Sequence, residues 1–240
     1  MSRDLANLTG RRRLLGRGLS LGALTLLTGC DLSDTDAVQA ALHAVSRWND
    51  RVQAALFDGA RLAPVYDTGL AVREFRFNAF FGAQDSPVLG PDSYRLRLSG
   101  AIDDKRPWTV AQLRGLPQES QVTRHVCVEG WSMIGQWAGP PLATFLARIG
   151  ADTRAKYIGF ECADGYYGGI DMATALHPQT ILAMSLSGQT LPTRFGFPFK
   201  VRIPTKLGFK NPKWVTAMYV TDQEPRGFWE DRGYNWFSGI

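Results

Sequence analysis

The sequence predicts an α+β fold: a mixed, strand-rich single domain with one amphipathic helix in front of it. Three observations point there. The 240 residues are 45% hydrophobic and 20% charged, enough apolar material for one large domain with its own core. After residue 75, short apolar runs of strand length, divided by turn-rich stretches, outnumber helical patterns. No internal repeat and no regular alternation of strand and helix is present, so neither a solenoid nor a doubly wound sheet is expected.

The first element is a helix over residues 35–58. Val38, Ala41, Leu42, Val45, Trp48, Val52, Ala55 and Leu56 recur at three- and four-residue spacing, which lays them on one stripe. Ser33 or Asp34 can cap its start, and Gly59 follows its end. Residues 60–74 read as an irregular connection, and residues 75–82 begin as a strand and end in a turn. Residues 93–99 alternate strictly between polar and apolar, the pattern of a half-buried strand. A short helix over 108–113 takes Thr109 as its cap. A strand over 121–128 carries Cys127 near its end, and an amphipathic helix over 141–149 closes at Gly150. Further strands are predicted at 156–161, 181–187, 199–203 and 214–221.

The net charge of +5 belongs mostly to the N-terminus. Residues 1–29 carry Arg3, Arg11, Arg12, Arg13 and Arg17 against Asp4, a net of +4, which leaves +1 for the rest. A nearly neutral body without a Lys/Arg patch interleaved with aromatics argues against nucleic acid as a partner. The same N-terminus reads as a targeting segment. Arg11-Arg12-Arg13-Leu14-Leu15 has a twin-arginine arrangement, and residues 14–27 are apolar but broken by Gly16, Arg17, Gly18, Gly22 and Thr25. Leu27-Thr28-Gly29-Cys30 resembles a lipobox, which makes Cys30 the acylated first residue after cleavage. The competing reading is a basic anchor helix with an incidental cysteine. The expected organisation is a signal over 1–29, a lipid-anchored helix and linker over 30–74, and a catalytic domain over 75–240. Twin-arginine export also suggests a protein folded around a cofactor before it crosses the membrane.

With Cys30 assigned to the anchor, Cys127 and Cys162 remain. In an oxidising compartment a disulfide between them is the plain expectation; maturation in reducing cytosol argues against it. The segment around Cys127 favours another role. Arg124-His125-Val126-Cys127-Val128-Glu129-Gly130-Trp131-Ser132-Met133 resembles the molybdenum-ligand segment of the sulfite-oxidase superfamily. It is closest to the branch typified by the periplasmic methionine sulfoxide reductase catalytic subunit. Five further segments resemble that family in the same order: residues 75–82, 156–162, 177–180, 191–204 and 208–214.

That resemblance implies a sulfite-oxidase-type molybdopterin-binding fold and a molybdenum–molybdopterin cofactor. It implies Cys127 as the metal ligand, and Asn78, Phe81, Cys162, Lys200, Asn211, Pro212 and Lys213 as cofactor contacts. The residue types agree with these roles. A soft metal in a sulfur-rich shell wants a thiolate, and a cofactor that brings its own dithiolene needs only one from the protein. Lys200, Arg202, Lys206, Lys210 and Lys213 fall within fourteen positions, beside glycine and proline turns. They suit a terminal phosphate, or else they form a solvated face. Tyr234 resembles the family's active-site tyrosine and is either a proton donor near the metal or a packed aromatic beside Trp236 and Phe237. His43, His125 and His177 lack metal-ligand spacing. His125 lies two residues before Cys127 on the same strand face, beside the cofactor or as a satisfied residue near the core.

Several departures bear on substrate. Phe77 stands where sulfite oxidases carry an arginine for their anionic substrate. Cys162 and Phe195 stand where the sulfoxide-reductase branch has threonine and asparagine, and the loop over 163–169 is shorter than in that branch. A pocket lined by Phe77, Phe80, Phe81 and Trp131 suits an uncharged or amphipathic substrate, small or protein-bound. The resulting expectation is a molybdopterin-dependent oxidoreductase, lipid-anchored at the periplasmic face of the inner membrane and performing oxygen-atom transfer. The alternatives are a sulfite-type oxidase or a non-catalytic lipoprotein that keeps the fold as a binding module. No Cys-x-x-Cys-His and no iron–sulfur cysteine set is present. Electrons would therefore pass through an external partner, by analogy a membrane b-type cytochrome.

Overall fold

A computed structural model describes residues 36–240. The targeting segment, Cys30 and the proposed helix cap at Ser33 or Asp34 lie outside the described residues. The chain divides at Asn49 into two units, Met1–Asn49 and Asp50–Ile240. Helix α1, Asp36–Leu56, matches the predicted helix, but its stripe is not a core face. None of its residues is buried, and Leu42, Val45, Trp48 and Leu56 are exposed. No helix among the described residues is long and apolar enough to cross a membrane.

In the second unit, the last turns of α1 grip the C-terminus. The Asp50 carboxylate accepts from the backbone N–H groups of Trp236 and Phe237, each at 2.9 Å, and Gln53 accepts from Gly239. The remaining elements are β1 (Arg97–Gly100), α2 (Val110–Arg114), β2 (Glu119–Val126), β3 (Ser132–Gly139), α3 (Leu142–Arg148), β4 (Tyr157–Cys162) and β5 (Tyr167–Asp171), followed by α4 (Met172–Leu176), β6 (Ile181–Ala183), β7 (Ser185–Leu186), β8 (Gln189–Thr190), β9 (Lys200–Arg202) and β10 (Val215–Thr221).

Two four-stranded sheets and a two-stranded ladder carry the unit: β1-β10-β4-β5, β2-β3-β7-β8 and β6-β9. Only β1 and β10 run parallel. Tyr94, Leu96 and Leu98 point inward while Arg95, Arg97 and Ser99 point out, as the alternation predicts. They join Phe145, Leu146, Ile158, Phe160 and Met218 in the larger core. A smaller core gathers Phe75, Trp137, Ile181, Leu191 and Phe195. Thr109 caps α2 in a reciprocal box with Gln112, where the sequence placed it.

The structure corrects three element assignments. Residues 75–82 form no strand. Their backbone is held by side chains instead: the Arg76 N–H donates to Met133 Sδ at 3.2 Å, and Lys213 Nζ donates to the Asn78 carbonyl. The apolar run 181–187 splits at Met184 into β6 and β7, which belong to different ladders. A run buried on both sides shows no period that could locate the break. Strand β3 goes unannounced because Gly135 and Gly139 interrupt its pattern. They are there for close approach: a Cβ on Gly139 would stand 1.9 Å from the Leu182 carbonyl oxygen.

Lys206 is buried, with Nζ over the Phe237 ring and 3.5 Å from Asp171. Burial pushes its pKa down to about 7. Lys200, Lys210 and Lys213 are lowered by the same cause. The unfolded chain keeps these protons to higher pH, so folding stability rises with pH above about 7 until unfolded thiols begin to ionise. Urea denaturation between about pH 7 and pH 8.5 should show this rise. Lys206→Met should make the rise shallower, the other lowered lysines keeping part of it, and raise stability at pH 7. Gly139→Ala should cost about 2–4 kcal/mol in the same assay, since backbone on both sides must shift.

Candidate active site

The β2–β3 hairpin presents Cys127 at its tip. Val126 pairs with Ser132, and the loop is closed by Cys127 N–H to the Trp131 carbonyl (2.8 Å) and Gly130 N–H to the Cys127 carbonyl (3.2 Å). Gly130, at φ +88°, takes the left-handed position that turn requires. Cys127 is 7% exposed and lines a cleft of about 590 Å³ measured out to its open mouth. The opposite wall is the loop before β10, with Asn211, Pro212 and Lys213; Asn78 and Tyr166 complete it. Phe80, Phe209 and Trp229 also line the cleft, and Phe80 is 43% exposed.

Three cations lie close together: the buried Lys200 and Arg202 and the half-buried Lys213. None of them forms an ion pair among the described residues. Lys200 is 2% exposed, its Nζ 5.0 Å from the Trp137 ring centroid. Burial, then Lys213 and Arg202, hold its pKa well below the usual lysine range. Burial takes Lys213 to about 8 and Arg202 to about 9. Uncompensated buried charge is costly, so the arrangement favours an anion among these cations. Arg202 is also structural. Its guanidinium donates to Asn211 Oδ1, Thr123 Oγ1 and the carbonyls of Ile203 and Arg124. Asn211 in turn accepts from the Ile203 N–H and donates to the Leu207 carbonyl.

The Cys127 thiol is pushed up by burial; the Glu129 backbone N–H and the Arg76 charge oppose this, and the Glu129 carboxylate adds to it. Metal binding at this sulfur would therefore release a proton. Arg76 stacks over Trp131 at 5.1 Å, and Trp131 Nε1 donates to Glu129 at 2.8 Å. His125 is fully buried beside Phe75 and Trp131, with ring centroids at 5.5 and 5.7 Å. Burial and the cations Lys200, Arg202 and Lys213 keep it neutral. The expectation of a satisfied core histidine does not hold: neither ring nitrogen has a partner among the described residues.

Of the residues expected from sequence, Asn78, Cys127, Asn211, Pro212 and Lys213 share the cleft. Lys200 lies behind its wall. Cys162 is a free thiol, as is Cys127, so the alternative of a disulfide between them is not realised. Cys162 belongs to the larger core, its pKa driven well up by burial and Asp164, against the pull of Lys213. Phe81 packs on Trp214 (5.7 Å) and Phe77 lies under the Lys213 ammonium (4.9 Å). Of the four aromatics expected to line the pocket, only Phe80 does so. Tyr234 is 38% exposed and packs on Phe209 and Trp229, outside the cleft lining.

Sequence reasoning missed Tyr166, whose hydroxyl donates to the Phe209 carbonyl at 2.5 Å, because it sits in a turn-rich stretch without a pattern. Glu129 could have been found as the one acidic side chain two positions beyond Cys127. Among the described residues no cluster of three or more His, Cys, Asp or Glu could hold a metal. A metal here would have to bring most of its own ligands.

Residues 81–229 match the family described as the oxidoreductase molybdopterin-binding domain. The chain is 55% identical over 232 residues to a protein of Azospira oryzae provisionally named protein-methionine-sulfoxide reductase subunit YedZ1, covering 97% of this chain and 88% of that protein. It is 31% identical over 177 residues to the protein-methionine-sulfoxide reductase catalytic subunit MsrP of Burkholderia mallei, covering 66% of this chain. The match spans only 54% of that relative's length. The fold is shared with the sulfane dehydrogenase SoxCD of Paracoccus pantotrophus, at a TM-score of 0.54 and 20% identity over 57% of this chain and 40% of that one.

The uncompensated cations, the orphaned imidazole and a single soft ligand together suit an anionic organic group that carries its own metal-binding sulfurs. Inorganic pyrophosphate at millimolar concentration should therefore raise the melting temperature of the metal-free chain by a few degrees. Lys213→Met should abolish that gain while leaving the unliganded melting temperature unchanged or higher.

Proposed function

Since the chain belongs to the family of molybdopterin-binding oxidoreductase domains, we propose that it transfers an oxygen atom in the manner of a sulfoxide reductase, with Cys127 as the protein's ligand to molybdenum. Family membership makes it an oxidoreductase and molybdenum–molybdopterin its cofactor. The observation that carries the finer reading is the placement of Cys127 in the wall of a cleft backed by three unpaired cations.

When bound, the cofactor supplies two-electron redox chemistry coupled to oxygen transfer. The chain's own residues bind and orient. Cys127, deprotonated, holds the metal. Lys200 and Lys213 neutralise the phosphate, Asn211 shapes the loop that receives it, and Asn78 closes the near side. Reduction of a sulfoxide consumes two electrons and two protons and yields a thioether and water. Glu129 lines the cleft as a carboxylate able to pass a proton from solvent, while the Tyr166 hydroxyl is committed to the Phe209 carbonyl. Phe80, Phe209 and Trp229 give the cleft apolar walls that suit a thioether or sulfoxide. The names of the MsrP relatives point to methionine sulfoxide within a protein as the substrate.

Electrons come from outside the chain, through a membrane b-type cytochrome, and the name of the Azospira relative as a subunit supports a partnered enzyme. The N-terminal signal and Cys30 support a lipid anchor at the periplasmic face of the inner membrane. One observation favours sulfite-type oxidation as a second reading: Arg76 lies near enough to Cys127 to favour its thiolate, as it would favour an anionic substrate.

Protein purified from a molybdenum-competent host should contain about one molybdenum per chain, and Cys127→Ser should lower this at least tenfold while remaining folded. With a reduced dye as electron donor, a peptidyl methionine sulfoxide should be turned over at least a hundredfold faster than sulfite is oxidised. Full molybdenum in the serine variant would remove Cys127 as ligand, and preference for sulfite would reverse the substrate assignment.

A further inference from the structure

The cleft that holds Cys127 has a second hollow beside it. This one measures about 650 Å³ out to its mouth, and the two meet at Val128 and Phe209, which line both. Val128 is exposed, so the rim between them is open to solvent. Aromatic rings carry the surface from one to the other. Tyr234, in the second hollow, packs on Phe209 at 5.5 Å and on Trp229, in the cleft, at 5.3 Å.

A free sulfoxide the size of one amino acid would use only the first hollow. A methionine sulfoxide inside a polypeptide brings main chain that must cross the rim. At about 3.4 Å per extended residue, the width of a ring corresponds to one or two residues. The second hollow therefore lies where a close neighbour of the reacting residue falls.

Its chemistry selects that neighbour. Among the described residues lining it, only Arg232 is charged. The side chain is exposed yet held: Nη1 donates to the Phe228 carbonyl at 2.6 Å, and the guanidinium lies 3.7 Å from the Phe228 ring centroid. Its backbone sits in a tight turn, where the Arg232 and Tyr234 N–H groups both donate to the Trp229 carbonyl and Gly233 takes φ +94°. The adjacent carboxylates are engaged elsewhere. Asp231 meets Arg226 at 2.8 Å and the Tyr167 hydroxyl at 2.6 Å, and Glu230 meets Lys210. Arg232 forms no ion pair among the described residues. A guanidinium already fixed by stacking loses little freedom when it takes a carboxylate.

We propose that this hollow is a subsite for a residue flanking the methionine sulfoxide of a polypeptide substrate, and that Arg232 selects an acidic side chain there. The inference rests on the functional reading above and deepens it by naming the kind of sequence the enzyme prefers. Its test compares cofactor-loaded native protein, Arg232→Gln and Arg232→Glu, with a reduced dye as electron donor. The substrates are short peptides with one central methionine sulfoxide and Asp, Ala or Lys at either of the two positions on each side.

Native protein should favour Asp over Lys about three- to tenfold in kcat/KM, at one or two adjacent positions on one side only. High salt should shrink that ratio, since the pair is exposed. Arg232→Gln should remove the preference, and Arg232→Glu should turn it toward Lys. If Arg232 merely supported Phe228, both variants would slow all peptides alike and no reversal would appear, which would overturn the proposal. Equal rates for Asp and Lys peptides in native protein would overturn it too. Native protein that carries cofactor but reduces no peptide sulfoxide would overturn the functional reading itself, whereas peptide turnover without charge selection sinks only the subsite.

Discussion

One buried guanidinium holds the site together. Arg202, at the end of β9, donates to Thr123 and Arg124 on β2 and to Asn211 on the loop before β10. It thereby ties the strand that delivers Cys127 to the loop that presents Lys213. These pieces are far apart in sequence and share no ladder. Bonds to neutral oxygens satisfy most of its donors but leave its charge uncompensated, which is why burial lowers its pKa so far. The same residue that fixes the geometry also makes the interior electropositive. Positioning and electrostatic attraction for an anion come from a single side chain.

The electrostatics carry a stability penalty that an anion in the cleft relieves. Burial lowers the pKa of Lys200, Lys213 and Arg202, and no carboxylate lies within ion-pair distance of them, Asp164 acting on Lys213 only from further off. Elsewhere the fold pairs its buried lysines: Lys210 meets Glu230 at 2.5 Å, and Lys206 faces Asp171. The contrast within one short segment separates lysines that face a carboxylate from lysines that do not. Composition alone could not make that separation, since all of them fall in the same fourteen positions.

Much of the architecture was legible because it obeys simple periods. The alternation at 93–99, the Thr109 cap, and the strands at 156–161, 199–203 and 214–221 all correspond to observed elements. The cleft was legible through motif order, which names Asn78, Cys127, Asn211 and Lys213, all four of which line it. What stayed hidden depended on contacts between distant residues. The backbone of 75–82 is held by Met133 and Lys213, partners that no local pattern can announce. Tyr166 and His125 owe their surroundings to Phe209 and Gly208, some forty and eighty residues further on. Burial without a partner leaves no trace in a string of letters.

The grip of Asp50 and Gln53 on residues 236–239 has a mechanical consequence. The Leu207 N–H donates to the Ser238 carbonyl at 3.0 Å, so the C-terminal tail adjoins the start of the loop that carries Asn211 and Lys213. Tension arriving through the last turns of α1 is thus loaded onto the tail and passed to that loop, and through the Arg202 guanidinium on to the strand that delivers Cys127. A tether attached ahead of α1 would therefore tug on both walls of the cleft, first on the Lys213 loop and through it on the strand ahead of Cys127.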